Sequence, residues 1–470
     1  MPLVAGVDSS TSSCKVEVRD LDSGALIASG RAPHPSTTPP RSEQHPHDWL
    51  TAFEIACGEA GITGRNRPAA IAIAGQQHGM VVLDSNRAVL RKAKLWNDTE
   101  SAIDADELVA ALGAQTWARA CGSVPVASFT ITKLRWLARC EPQVFRAVRH
   151  VLLPHDWLTS QLTGSFTTDR GDASGTGWWS PAEERYRPDL LALVDDAAPW
   201  EAMLPTVVPP NVAAGEWNGI VVGPGTGDNM AAALGLGLRP GDLALSLGTS
   251  ATAFRISDTP SADASGTIAG FADATGRYLP LVCMLNATKV TDAVARLLGV
   301  DASEFDALAL QASGGADGLV LMPHFDGERT PNRPDATGSL VGIRSDVTRE
   351  QLARAAVEGV VCNLLDGVDA LTRIDDQNAE RRVMLIGGGS HSDAYRQIVA
   401  DLLGRPVLVP SGDELVARGA AVQAAAVLSG DAFHKITQRW DDGDAPEVEP
   451  NANVDGAAVR AAYGQVLAKE

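Results

Sequence analysis

At 470 residues and 49.1 kDa the chain is too long for one small module, and about 100–200 residues per domain gives it two or three cores. A composition of 45% hydrophobic and 21% charged residues is that of a globular protein and excludes collagen-like repeats, coiled coil and general disorder. A formal net charge of −19 excludes the basic stripe that a nucleic-acid binder needs. A single anionic nucleotide can still bind such a chain, provided local backbone N–H groups and a divalent metal offset its field.

The N-terminus, MPLVAGVDSS, has neither a basic n-region nor an apolar h-region. No apolar run approaches the roughly 20 residues that cross a bilayer. Cys14, Cys57, Cys121, Cys140, Cys283 and Cys362 contain no C-x-x-C pair and read as free thiols of a reducing compartment. The expectation is a cytoplasmic protein with no membrane and no nucleic acid among its partners.

In chain order, Val4–Val7 and Cys14–Arg19 read as strands, and Asp22-Ser23-Gly24 as the turn before a third, Ala25–Ser29. A Pro/Thr loop at Pro33–Pro40 precedes a helix over Asp48–Ala60. Ile71–Ala74 is a buried strand ending in GQQHG (75–79), and Met80–Leu83 continues extended. A mostly helical, loop-rich region runs from Thr99 to about Leu204. Ile220–Val222 is a short strand, followed by the loop GPGTGDN (223–229) and a helix over Met230–Leu236. At Pro240-Gly241-Asp242 the pattern restarts: LALSLGTSATAFRI (243–256) is again strand, small-residue turn, strand. Its turn, Ser246–Ser250, aligns with Asp8–Ser12, an internal echo that suggests two domains of common ancestry divided near Arg239–Asp242. Strand Val383–Ile386, loop GGGS (387–390), helix Asp393–Leu403, strand Val407–Val409 and helix Glu414–Leu428 follow. An acidic tail from Asp431 ends in an amphipathic helix at Ala457–Leu467. The domains are accordingly drawn as 1–240, 241–430 and a tail of 431–470.

Four loops share one physical character. Ser9–Ser13, Gly223–Gly227, Gly248–Ser250 and Gly387–Ser390 each follow an apolar strand and consist largely of Gly, Ser and Thr. Such loops converge backbone N–H groups on an anion, although small residues also make ordinary tight turns. No G-x-x-x-x-G-K-[ST] and no G-x-G-x-x-G after the first strand occurs, which argues against P-loop and Rossmann folds. A strand–turn–strand cradle used twice points to an α/β chain of the actin/hexokinase-like (ribonuclease H-like) ATPase fold, with a cleft between two related domains. Two carboxylates stand where a phosphate could arrive. Asp8 ends the first strand and Asp228 ends the second loop; the structural alternatives are a turn aspartate and a helix N-cap. The echo has Ser246 in place of Asp8, a charge difference that a plain turn would not need. His78, after an apolar strand, reads either as a hydrogen-bonded core residue or as a ligand. His34, His45 and His47 lie in a Pro-rich loop without a carboxylate pattern, which argues against a metal cluster there.

The ordered stretches GVDSSTSSCK (6–15), SEQHPHDW (42–49), IAGQQHG (73–79), LWND (95–98), FTITKLRWL (129–137), GDN (227–229) and LSLGTS (245–250) complete the pattern, with GERTP (327–331), EGV (358–360), IGGGS (386–390) and RGAA (418–421). Over nearly its full length the chain resembles the FGGY carbohydrate kinases, and within them it is most similar to members acting on D-xylulose. The resemblance implies ATP-dependent phosphorylation of D-xylulose to its 5-phosphate. The alternatives are another ketose or polyol, such as ribulose or a tetritol, and, in a different class, a non-catalytic sugar-binding regulator.

By position, the resemblance makes Asp228 the catalytic base and has Asp8 organise Mg–ATP, so that Asp8 and Asp228 are the Mg²⁺ carboxylates, acting through water. It gives sugar binding to Gln77, His78, Asp228 and Asn229. It gives ATP to Thr11, Ser12 and Lys15, to Gly248, Thr249 and Ser250, and to Gly387, Gly388, Gly389 and Ser390, with the Arg418–Ala421 helix behind that last loop. The cofactors implied are ATP and Mg²⁺; the partners are a small-molecule sugar and ATP, with a homodimer as the candidate assembly. Ser10 and Ser13 replace the glycines usual in the family, and Thr226 stands where a full glycine triplet would. Thr226 is therefore expected either to crowd or to hydrogen-bond the transferred group. The segment Pro205–Gly219 is shorter than in typical relatives, where a helix lies.

Overall fold

The computed structural model describes residues 2–374, 382–412, 414–441, 443 and 445–469; within the acidic tail, positions 442, 444 and 470 lie outside the described residues. Among the described residues, no helix is long and apolar enough to cross a membrane. Two compact units interleave along the chain. The first comprises Met1–Leu238, Ile256–Pro280 and Glu414–Asp442; the second comprises Arg239–Arg255, Leu281–Asp413 and Gly443–Glu470.

The first unit is built on strands β1 (Leu3–Ser9), β2 (Ser13–Asp20), β3 (Leu26–Pro33), β4 (Ala70–Gly75), β5 (Gly215–Trp217) and β6 (Ile220–Val222), in the spatial order β5-β6-β4-β1-β2-β3. β1 runs antiparallel to β2 and parallel to β4, and β4 is parallel to β6. Successive side chains of a strand point to opposite faces, so β1 can serve two layers. Ala5 and Val7 join a core with Val16, Trp49, Phe53, Ile71, Ile73 and Trp157, under the helix Pro46–Ala60. Gly6, on the other face, lies against the helix Leu415–Ser429.

That second contact is close because three glycines permit it. A Cβ at Gly6 would lie 1.9 Å from the Ala417 carbonyl oxygen, one at Gly235 2.1 Å from that of Leu415, and one at Gly419 1.8 Å from that of Ala231. RGAA (418–421) is therefore the packing seam that joins helix Leu415–Ser429 to β1 and to helix Asp228–Gly235, and it belongs to the first unit. Local spacing shows a helix here, but only tertiary packing shows which sheet it covers. Gly419→Val is expected to cost about 3 kcal/mol or more, since backbone rather than a flexible side chain would have to move. Thermal unfolding followed by circular dichroism checks this, and an unshifted midpoint would contradict the tight crossing.

The second unit repeats the plan. Strands β7 (Leu243–Leu247), β8 (Ala251–Arg255), β9 (Tyr278–Met284), β10 (Val383–Ile386), β11 (Val407–Leu408) and β12 (Glu447–Val448) take the order β9-β8-β7-β10-β11-β12. β7 is antiparallel to β8 and parallel to β10, and β10 is parallel to β11. The echo in the sequence is thus one hairpin built twice. In the first copy Asp8 stands across from Lys15; in the second Ser246 stands across from Thr252. The loop-rich stretch from Thr99 to Leu204 consists of short helices, as expected, with small strands between them. Among these, His150–Leu152 pairs with Val81–Leu83, a partner too distant in sequence to be read from pattern.

Candidate active site

In the first unit, β1 delivers Asp8 to the start of the Ser9–Ser13 loop, where it is 3% exposed. Lys15, directly across the hairpin, places Nζ 3.5 Å from Asp8 Oδ2 and 2.6 Å from Glu414 Oε2. Desolvation raises the Asp8 pKa above the usual carboxylate range, against the lowering pull of Lys15. Burial alone would lower Lys15, but Asp8 and Glu414 together hold it above its ordinary value. The Ser10 hydroxyl donates to Asp8 Oδ1, so this departure from glycine is tied to the carboxylate itself. Thr11 is fixed by Trp96, whose Nε1 donates to Thr11 Oγ1 at 2.8 Å, and by Gln44, whose Nε2 donates to the Thr11 carbonyl at 2.9 Å. Ser12 is exposed. His34 faces this loop, with Nδ1 2.9 Å from the Ser10 carbonyl, while His45 pairs with His47 on the helix that follows.

β4 ends at Gly75 and presents Gln77 and His78, both buried. His78 sits at φ 64°, a left-handed conformation uncommon outside glycine. Its ring stacks on Phe129, with centroids 4.9 Å apart, and Phe271 lies at 5.5 Å. Nδ1 is 2.8 Å from the Gly175 carbonyl oxygen, and an oxygen with no proton to give requires Nδ1 to carry the hydrogen. A Cβ at Gly175 would reach within 2.5 Å of this ring, so the glycine is what admits it. Gln77 Oε1 accepts from Asn229 Nδ2 at 2.9 Å, while Gln77 Nε2 is buried without a hydrogen-bond partner.

Asp228 opens the helix Asp228–Gly235, whose N-cap is Gly227; the N-cap alternative for Asp228 is not what forms. Its Oδ1 accepts from Asn229 N at 2.8 Å and from Asn229 Nδ2 at 3.0 Å. Desolvation and the negative charge of Asp8 push its pKa up to about 7. Gln77, Asn229, Asp228 and Asp8 therefore form one polar constellation at the ends of neighbouring strands. Thr226 does not join it. The Thr226 side chain is 1% exposed and its Oγ1 donates to Asp169 Oδ2 at 2.7 Å, which corrects the expectation that it would crowd or bond the transferred group.

The other predicted loops lie in the second unit. Thr288 N donates to the Gly248 carbonyl at 3.0 Å and Ala287 N to that of Thr249 at 3.1 Å. A Cβ at Gly387, φ 84°, would lie 2.6 Å from the Leu247 carbonyl oxygen, and one at Gly389 2.7 Å from the Leu247 side chain. These glycines let the Gly387–Ser390 loop close onto β7. Gly248, Thr249, Gly388 and Gly389 then share the wall of a cavity of about 900 Å³ with Asp292 and Tyr395. Ser250, Gly387 and Ser390 are not on that wall; the Ser390 hydroxyl turns back to the Gly387 carbonyl at 2.8 Å. Asp292 and Tyr395 come from helices with no small-residue signal, so sequence pattern could not find them.

Mg²⁺ favours hard oxygen ligands and keeps several waters, usually with one or two carboxylates. Asp8 and Asp228 fit that demand: both are carboxylates in a desolvated place, Asp8 raises Asp228, and the adjacent ammonium of Lys15 is shared with Glu414.

The model of the FGGY family of carbohydrate kinases, N-terminal domain, matches residues 3–235, and that of the C-terminal domain matches 243–428. The chain is 46% identical to a xylulose kinase of Streptomyces coelicolor over 95% of this chain and 92% of that protein. It is 47% identical to a xylulose kinase of Streptomyces rubiginosus, with the same coverage. A solved structure of xylulose kinase from Bifidobacterium adolescentis is 41% identical, covers 99% of both chains and superposes with a TM-score of 0.87.

Proposed function

The chain belongs to the FGGY family of carbohydrate kinases, and on that premise we propose that it transfers the γ-phosphoryl group of ATP to the terminal hydroxyl of D-xylulose. The observation that carries this is the Asp228–Asn229–Gln77 constellation beside Asp8, in a chain 46% and 47% identical to the two Streptomyces xylulose kinases.

Phosphoryl transfer asks a protein chiefly for positioning, charge neutralisation and a group to take the acceptor proton. Gln77 Nε2, a buried donor without a partner, and His78, held by Phe129 and Gly175, orient the ketose. Asp228 Oδ1 is held by Asn229, and Oδ2 takes the proton of the terminal hydroxyl. The sugar's terminal oxygen forms the new bond to phosphorus as the bond from phosphorus to the β–γ bridging oxygen breaks, and ADP leaves. In the second unit, Gly248, Thr249, Gly388 and Gly389, on the wall of the cavity of about 900 Å³, hold the nucleotide. Mg²⁺, when bound by Asp8 with Asp228 beside it, supplies positive charge to the phosphates.

A coupled assay of ADP release across D-xylulose, D- and L-ribulose, glycerol and tetritols tests the reading. The highest kcat/KM is expected on D-xylulose, with product phosphorylated at O5. A preference of tenfold or more for ribulose or a tetritol would reassign the substrate, and no ADP release on any of them would remove the kinase reading.

A further inference from the structure

Beneath the Asp228 loop lies a buried group of charges that the proposed chemistry does not use. His155, Asp156, Asp169 and Asp172 are all 0% exposed. His155 Nε2 stands 3.3 Å from Asp156 Oδ1, 3.3 Å from Asp169 Oδ1 and 3.4 Å from Asp172 Oδ2. Asp169 also caps the helix Arg170–Ala173, accepting from Gly171 N at 2.8 Å and Asp172 N at 3.0 Å, so its carboxylate cannot turn. Burial pulls the His155 pKa down, but the three carboxylates outweigh it and raise it to about 9; burial in turn raises Asp156 and Asp172 above their ordinary values.

This group touches the segment that leads to Asp228 at two points. The Thr226 hydroxyl donates to Asp169 Oδ2 at 2.7 Å. Gly225, at φ 80°, rests on the His155 ring so closely that a Cβ there would meet Nδ1 at 2.7 Å. From the other side Gln423 grips both peptide groups of Gly225, accepting from Gly225 N at 2.9 Å and donating to its carbonyl at 3.0 Å. Thr226–Gly227 then pairs with Ala74–Gly75 of β4, and Asp228 follows at once.

We propose that Thr226 is a positioning residue: its hydroxyl, anchored on Asp169 with His155 behind, holds the Gly225–Gly227 backbone so that the Asp228 carboxylate meets the sugar hydroxyl in one orientation. This rests on the reading of Asp228 as the base. The threonine replaces a family glycine because this hydroxyl pins the loop.

Misplacing a reacting group by about 1 Å can cost on the order of 10²-fold in rate. Thr226→Val, which keeps the shape and removes the hydroxyl, is expected to lower kcat about 10–100-fold with KM for sugar and for ATP within about threefold. Thr226→Ser is expected to stay within about threefold of the parent kcat, because the hydroxyl is restored. Asp169→Asn and the Thr226→Val/Asp169→Asn double variant complete a cycle, and the double is expected to lose no more than the worse single. Circular dichroism at the assay temperature verifies folding, and Thr226→Ala replaces Thr226→Val if the latter does not fold. A folded Thr226→Val or Thr226→Ala variant within threefold of parent kcat, or multiplicative losses in the cycle, overturns the proposal. Asp228→Asn measured alongside separates the two ideas: an inactive Asp228→Asn with a parent-like Thr226→Val leaves the base in place and removes only the positioning role.

Discussion

Asp228→Asn is expected to lower kcat by about 10²–10⁴-fold or more, the range that a positioned general base contributes. The amide keeps the size of the side chain and an Oδ1 acceptor for Asn229, so packing and the Asn229–Gln77 link should survive. What it loses is the ability to take a proton. Affinity for ATP, measured by calorimetry with a non-hydrolysable analogue, should be unchanged within a few-fold, because the cavity lined by Gly248, Thr249, Gly388 and Gly389 is untouched.

Stability should move the other way. A carboxyl raised from 3.8 to about 7 in the folded state binds its proton more tightly folded than unfolded. Its contribution is therefore greatest below the unfolded value and is lost as pH rises through about 7. Above that pH the buried charge penalises the fold, so the uncharged variant should melt at the same temperature as the parent or higher. In the parent, kcat/KM should fall as pH drops below about 7, since only the ionised base can accept the proton. A folded Asp228→Asn enzyme that keeps more than a tenth of parent kcat would end the assignment.

Asp8→Ala is expected to raise the Mg²⁺ concentration at half-maximal rate and to lower saturated kcat, each by about 10–100-fold, the scale on which removing support for a metal is felt. The mechanism is local. Lys15 would remain with Glu414 at 2.6 Å, and the site would present Asp228 as its remaining carboxylate of the pair. Titrating initial rates with Mg²⁺ at fixed ATP distinguishes this from a fold defect, which would lower kcat at every Mg²⁺ level without shifting the midpoint. Parent-like Mg²⁺ dependence and rate would reduce Asp8 to a turn residue.

Much of this was legible beforehand where the signal was local. Alternation and small-residue turns placed β1, β2, β4 and the two cradles within a residue or two of where they form. The substitution of Ser246 for Asp8 marked the charged copy of the hairpin. The ordered motifs point to Gln77, Asp228 and Asn229, whose side chains form one hydrogen-bonded group. Less accessible were contacts made by residues far apart in the chain. The helix carrying RGAA reads as part of the second half, yet three glycines seat it on β1 of the first unit. Thr226 looked like a group aimed outward and is turned inward to Asp169.

The pentapeptide PHDWL states the division most plainly, since it occurs twice, at Pro46–Leu50 and at Pro154–Leu158. In both places it begins a helix with proline at the first position, as proline's fixed φ and missing N–H dictate, and in both its tryptophan is buried. That much the five residues settle by themselves. In the first copy, however, the histidine and aspartate are exposed; in the second, His155 and Asp156 are sealed beneath the Gly225 loop among Asp169 and Asp172. Local sequence sets backbone preference, because sterics and hydrogen bonding act over a few bonds. Burial and charge state are set by what other segments bring within a few ångströms, and only the tertiary fold decides that.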